Sequence, residues 1–274
     1  MSPAHPLADF HVHTNFCDGR DTPGAIARAA LDLGMTRLGF SGHAYTSSDE
    51  SYCMSPEGSE AYRREIARLK EEYRGRLDIF CGIEQDCFSD LPPAEYDYVI
   101  GSAHYVRVRG EYRSVDHTPE LLRQTIDECF GGDPYALVEN YYEQEARIVE
   151  RTGADIIGHF DLVTKFNEGG VLFDEEHPRY VAAAEAALDA LLATGRPFEI
   201  NTGAISRGYR TTPYPSLRLL RRIAERGGRV ILSSDSHRAD TLCFGFEEQR
   251  EFAASFGLRV VDFEPLGYHA TSAR

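Results

Sequence analysis

Short, nearly continuous apolar runs alternate along this chain with longer segments in which apolar positions return every three or four residues. Apolar runs of about four to eight residues predict strands buried on both faces, and the longer spacing predicts amphipathic helices. Strands are expected at residues 9–13, 38–43, 78–84, 96–104, 155–159, 197–201 and 229–235. Helices are expected at 60–74, 120–129, 135–151, 179–192, 217–226 and 247–256. Another opens at Thr22 and Pro23, an N-cap followed by a residue suited to the first helical position. Ile26, Ala29, Ala30 and Leu33 then keep helical spacing until Gly34 stops the run. Asp18-Gly19 makes a turn before that helix. The polar loop 44–59 is long enough to lie over a site, 258–263 is an extra strand or closing segment, and the tail from Leu266 is expected to be loosely held.

Seven strands alternating with helices predict an α/β fold of parallel βα units rather than a sandwich. Residues 1–274 are expected to form one domain, because α/β barrels commonly reach about 250 residues as a unit. Most of these strands end on polar residues. His11, His13, His43, Glu84, His104, His159, Asp235 and His237 all fall at predicted C-terminal strand ends, the edge on which βα barrels carry their chemistry.

Composition narrows the partners. A formal charge of −15 argues against a nucleic-acid surface, which needs clustered Lys and Arg to displace phosphate counterions. Six cysteines without a CxxC pair or regular framework fit a reducing compartment. The N-terminus lacks a basic segment followed by an apolar run, and no apolar stretch reaches the length of a membrane span. The expectation is a cytoplasmic protein with no nucleic acid, no membrane and no obligate protein partner.

The strand ends carry the chemistry. Residues two apart on a strand share a face, so His11 and His13 present two imidazoles side by side, a chelating pair. Alone such a pair is weak, but six of the ten histidines and two acids converge on one predicted rim. Imidazoles and carboxylates suit Zn, Fe or Mn, and so many ligands exceed what one ion can use, which implies two or three divalent metal ions. Lys165 and Arg207, in loops on the same rim, are candidate phosphate-binding cations, with Arg210 a weaker neighbour. Asp161 is a candidate proton donor or partner to a ligating histidine, and is expected chiefly to orient its loop. Tyr45, Tyr105 and Tyr209 are candidates to pack on an imidazole. His5, His117, His177 and His269 fall outside the series and are expected on the surface or in the tails.

The order His11-x-His13, Asp18, His43, Glu84, His104, His159 and Asp235-x-His237 resembles the polymerase and histidinol phosphatase (PHP) family, with His-Thr after the first pair and Ser-Asp-Ser-His at the end. The resemblance spans residues 9–237. It implies a distorted seven-stranded (β/α)7 TIM-like barrel around a trinuclear metal site, with Asp18 among the ligands; the alternative for Asp18 is a plain turn residue. Ser41-Gly42-His43-Ala44, Gly158-His159-Phe160-Asp161-Leu162-Val163 and Glu199-Ile200-Asn201-Thr202 are similar to the histidinol-phosphate phosphatase branch. The resemblance implies hydrolysis of a small phosphate monoester, L-histidinol phosphate in histidine biosynthesis, by a metal-bridging hydroxide held by Asp235, His237 and Glu84. Glu84 and Asp235 are the natural bridging carboxylates. The alternatives are another monoester, such as a phosphotyrosine or a nucleotide, or a metal-binding PHP module without turnover.

Overall fold

The computed structural model describes residues 7–90 and 95–265. His5, His269 and the tail from Leu266 lie outside the described residues. The strands are β1 (Ala8–Asp9), β2 (Arg37–Phe40), β3 (Asp78–Asp86), β4 (Tyr98–Ser102), β5 (Tyr105–Val108), β6 (Glu111–Ser114), β7 (Ile156–Ile157), β8 (Phe198–Asn201), β9 (Arg229–Ser233) and β10 (Arg259–Val260). The α-helices are α1 (Pro23–Asp32), α2 (Pro56–Glu72), α3 (Pro119–Phe130), α4 (Pro134–Glu145), α5 (Ile148–Thr152), α6 (Pro178–Leu192), α7 (Gly203–Ser206), α8 (Leu217–Glu225) and α9 (Phe246–Ser255).

Helix starts follow a common local rule. In α1 to α4 a Thr, Ser or Asp accepts a hydrogen bond from a first-turn backbone N–H and a proline follows it: Thr22 to Ala25, Ser55 to Gly58, Thr118 to Leu121, and Asp133 to Tyr135 and Ala136. The Ser55 cap starts α2 four residues before the helix expected at 60–74, inside the stretch expected to be loop. The helix expected at 135–151 is broken at residues 146–147 into α4 and α5. The break lets Ile148 and Thr152 pack against Gly101 of β4, where a Cβ would lie within 2.9 Å of both side chains.

Eight strands form one parallel sheet in the order β1-β2-β3-β4-β7-β8-β9-β10. The sheet curls, bringing the chain beyond β1 against the chain beyond β9: a parallel bridge joins Val12 to Ser236, with His13 N–H donating to Ser236 O at 2.8 Å and Ser236 N–H to His11 O at 3.0 Å. The sheet therefore has one strand more than the seven expected. The addition is β10, two residues paired to the start of β9, within the stretch 258–263. The antiparallel hairpin β5–β6 was not expected at all; it pairs Tyr105 with Ser114 and Val108 with Glu111 beside the rim.

The hydrophobic core is layered around this sheet. Inside the curl, Phe10, Tyr98, Ile100, Ile156 and Ile231 form a buried cluster. Outside it, one cluster packs α1 and α2 on the β1–β3 side and a larger one packs α3, α4, α6, α8 and α9 over the remainder. Tyr98 organises the interior: its hydroxyl donates to Phe10 O at 2.6 Å and to Phe40 O at 3.0 Å. Its ring occupies the space over Gly82, where a Cβ would lie 2.2 Å from Tyr98 Cζ. With this plug beneath, polar side chains at the strand ends face the open mouth. Among the described residues no helix is long and apolar enough to cross a membrane.

Candidate metal centre

Each strand of the curl except β8 and β10 sends a titratable side chain to the mouth from its last residues or the loop that follows. His11 and His13 follow β1, and their ring centroids are 5.1 Å apart. Asp9, which begins that segment, does structural work. Its buried carboxylate accepts from the N–H groups of His11, Ser234 and Cys243 and from the Ser234 hydroxyl, tying β1 to β9. His43 follows β2, Glu84 lies within β3, His104 follows β4, His159 follows β7, and Asp235 and His237 follow β9. Asp235 has φ +48°, a left-handed conformation that Asp tolerates better than most residues and that turns the chain at the rim.

Five imidazoles converge on the two oxygens of Glu84. His43 Nδ1, His11 Nε2 and His13 Nε2 lie 2.9, 3.3 and 3.4 Å from Oε2. His159 Nε2 and His104 Nε2 lie 2.9 and 3.4 Å from Oε1. Asp235 Oδ1 stands 3.3 Å from His13 Nε2 and 3.7 Å from His11 Nε2. Asp18 joins from the other side: Oδ2 is 3.2 Å from His237 Nε2, and Oδ1 is 3.7 Å from both His13 Nδ1 and His43 Nε2. The sequence-predicted ligands therefore form one cluster, with Asp18 in it at the more exposed end.

The field within the cluster is strong because water is excluded. Burial would raise the Glu84 carboxyl, but the facing His43, His11 and His104 outweigh it and hold it well below the carboxylate range. Burial, with His237 and His43 beside it, pushes His13 down to about 3, so its ring is neutral with a free lone pair. His104 goes the other way: burial opposes protonation, but Glu84 and the Asp86 hydrogen bond raise it to about 10.

Divalent cations fit this arrangement. His11 Nε2, His13 Nε2 and Glu84 Oε2 are buried, close together and without a hydrogen-bond partner, which is costly for polar atoms unless an ion engages them. Three groups of donors each lie within 4.8 Å of one another: His13, Asp18, His43 and His237; His11, His13 and Glu84; and His43, Glu84 and His104. The shared members make this a multinuclear geometry, and nitrogen and oxygen donors of this kind suit Zn, Fe or Mn.

A cavity of about 400 Å³ opens over the cluster. Arg207 and Lys165 both line it, and each already has a protein partner. Arg207 donates from Nη2 to Asp235 Oδ2 at 2.9 Å and from Nη1 to Asp235 O at 2.8 Å. Lys165 Nζ donates to Asp116 O at 2.7 Å and is 3.2 Å from Asp116 Oδ2. Arg210 does not line the cavity; it donates to the hydroxyls of Thr164 and Thr212. Asp161 orients its loop, accepting from Ser216 N–H at 2.8 Å.

Several participants were not apparent from sequence. Asp86 accepts from both the N–H and Nδ1 of His104, and Glu199 from Nδ1 of His11. Asp86 lies two residues after Glu84 on one strand face, and Glu199 is a charge inside an apolar run, signals that were available. The aromatic ring against His43 is Tyr52, at 4.8 Å, and the one near His159 is Tyr214; Tyr45 instead donates to Glu50 and Tyr209 packs on Phe166. His117, expected to be a surface residue, is exposed but lines the cavity beside Asp49, Tyr105 and Ser114. His177 is a surface cap: it accepts from Arg179 N–H and stacks on Tyr135.

A curled parallel sheet with a buried polynuclear His/Asp/Glu cluster at its C-terminal edge defines a metal-binding α/β barrel-like protein. The PHP domain model matches residues 9–203, and the chain belongs to that family. Over 272 residues it is 33% identical to a Deinococcus radiodurans protein described as "Probable histidinol-phosphatase", covering 94% of this chain and 96% of the relative. The histidinol-phosphatase of Bacillus subtilis is 28% identical over 87% of this chain and 96% of its own. Among solved structures, the histidinol phosphate phosphatase of Lactococcus lactis, complexed with Zn, L-histidinol and phosphate, superposes with a TM-score of 0.68. Its sequence is 20% identical, and the match covers 96% of this chain and 98% of that one.

Proposed function

We propose that this protein is a metal-dependent phosphatase that hydrolyses L-histidinol phosphate to L-histidinol and phosphate in the cytoplasm, as one domain built on a seven-strand barrel with β10 as a closing strand. The observation that carries the reading is the convergence of five imidazoles on the two oxygens of Glu84, beneath an open cavity. Two or three divalent ions are held by His11, His13, Asp18, His43, Glu84, His104, His159, Asp235 and His237. When bound, they lower the pKa of water from 15.7 to about 7 and neutralise charge developing on the phosphoryl oxygens and the leaving alkoxide.

The chain's own residues set the geometry. Glu84 offers both oxygens to separate groups of donors and bridges them. Arg207 braces Asp235 through two bonds and offers a fixed positive charge to a substrate phosphate, and Lys165, paired with Asp116, is a second cation on the cavity wall. The cavity wall also carries Asp49, whose carboxylate can accept from the ammonium or imidazole of an amino-alcohol leaving group.

The test is a substrate panel with the Zn- or Mn-loaded protein. L-Histidinol phosphate should exceed p-nitrophenyl phosphate and phosphotyrosine in kcat/KM by at least about 100-fold, a floor below the roughly 10⁴-fold of a site that hydrogen-bonds its substrate. Equal rates on all three would overturn the substrate. Full activity in His11→Ala would overturn the metal-dependent mechanism.

A further inference from the structure

Strand β8 lies between β7 and β9, whose ends deliver His159, Asp235 and His237, yet its own inward acid takes no place among the candidate ligands. Glu199 is fully buried, and its two oxygens serve different strands. Oε1 lies 2.7 Å from His11 Nδ1. Oε2 accepts from His159 N–H at 3.0 Å and from Asn201 Nδ2 at 3.1 Å. The Asn201 amide is itself oriented: its Oδ1 accepts from Gly203 N–H at 2.9 Å, so the NH₂ group faces Glu199. Every neighbour of the Glu199 carboxylate is thus a donor.

That surrounding decides the state of His11. Facing an oxygen that only accepts, Nδ1 carries the hydrogen, so a ring that ligates a cation does so through the lone pair on Nε2. Nε2 is the atom that points at Glu84 Oε2 and Asp235 Oδ1, within the group formed with His13. We propose that Glu199 is a positioning residue for metal binding. It holds His11 in the tautomer that ligates through Nε2, and through the His159 backbone it locks the adjoining ligand-bearing segment to the same carboxylate. His104 is treated alike by Asp86, which takes both its N–H and its Nδ1. His43 has no such device, because its Nδ1 is turned toward Glu84. Carboxylates that fix ligating imidazoles in this way commonly govern metal affinity.

This inference rests on the reading that the cluster binds divalent ions and is independent of the substrate. Glu199→Gln is a near-isosteric probe: an amide can accept from His11 only by turning its NH₂ toward His159 N–H and the Asn201 NH₂, so one side always loses its partner. The metal-free protein would be titrated with Zn²⁺ alone against a chromophoric chelator, beside wild type. The expected result is an affinity about 10- to 100-fold weaker at one site of the Glu199→Gln protein, the other sites keeping theirs. A variant that melts earlier yet binds Zn²⁺ as tightly as wild type would mean that Glu199 is only structural, and overturns the proposal. Wild-type protein that takes up no Zn²⁺ overturns the proposal together with the reading beneath it. Should Glu199→Gln fail to fold, ¹⁵N spectra of histidine-labelled, Zn-loaded wild type decide: His11 protonated at Nδ1 and metallated at Nε2 supports the role, and the reverse overturns it.

Discussion

Glu84 shows how one side chain becomes a centre. A carboxylate with 1% exposure would be expensive to bury alone, and the facing His43, His11 and His104 make it tolerable by holding it ionised. Asp161, two residues beyond His159, has no such company. Burial pushes its carboxyl up to about 6, against the pull of Arg210, so the folded chain keeps its proton over a range in which the unfolded chain has released it. Stability therefore falls as pH rises from about 4 to about 6 and levels off above that, a loss on the order of 3 kcal/mol. In Asp161→Asn, which keeps an acceptor for Ser216 N–H, that part of the slope should vanish. Urea unfolding of both proteins at pH 4, 5, 6 and 7 checks this, and parallel stability curves would contradict it.

The elements divide into those that scaffold and those that present. Strands β2, β3, β4, β7 and β9 hold the curl with short parallel ladders, and the titratable residues at their ends line the cavity. The interior plug is what lets them stay in register. Gly82→Ala would drive a methyl group into the Tyr98 ring from 2.2 Å, and Tyr98 cannot retreat without giving up its bonds to Phe10 O and Phe40 O. The expected cost is at the upper end of about 1–3 kcal/mol for overpacking, seen as a lower denaturation midpoint with an unchanged slope. An unchanged midpoint would mean that the interior is looser than this packing implies. The β5–β6 hairpin belongs to the presenting group. It brings Tyr105 and Ser114 to the cavity wall on a short element that packs on α3 and α4 rather than in the sheet.

Across the whole molecule, the site concentrates charge that the fold alone does not neutralise. The chain carries a net charge of −15, and several of its acids meet at the mouth. Binding two or three cations there stabilises the folded state by mass action, about 2.7 kcal/mol per ion at a free concentration one hundred times its Kd. Chelation should lower the melting temperature by several degrees and abolish phosphatase activity, and added Zn²⁺ or Mn²⁺ should restore both together. A melting temperature indifferent to chelator would place the ions outside the folded cluster. All six cysteines are free thiols, so no disulfide contributes to this balance.

Much of the architecture was legible along the chain because parallel strands buried on both faces leave long apolar runs, and because histidines and acids ending such runs can only meet at one rim. His11, His13, His43, Glu84, His104, His159, Asp235 and His237 were readable on those grounds, and Asp18 through its place in the series. The eighth strand was less so, since β10 pairs through two residues only. The hairpin at 105–114 was missed because short antiparallel strands beside a loop leave no long hydrophobic signature. Folding alone decided the partnerships: that Glu199 reaches His11 across 188 residues, that Tyr52 rather than Tyr105 packs on His43, and that Arg207 is already bound to Asp235. Local sequence sets which residues end a strand and which way they face. The few ångströms that separate a ligand from its orienting carboxylate depend on how strands distant in sequence are brought side by side.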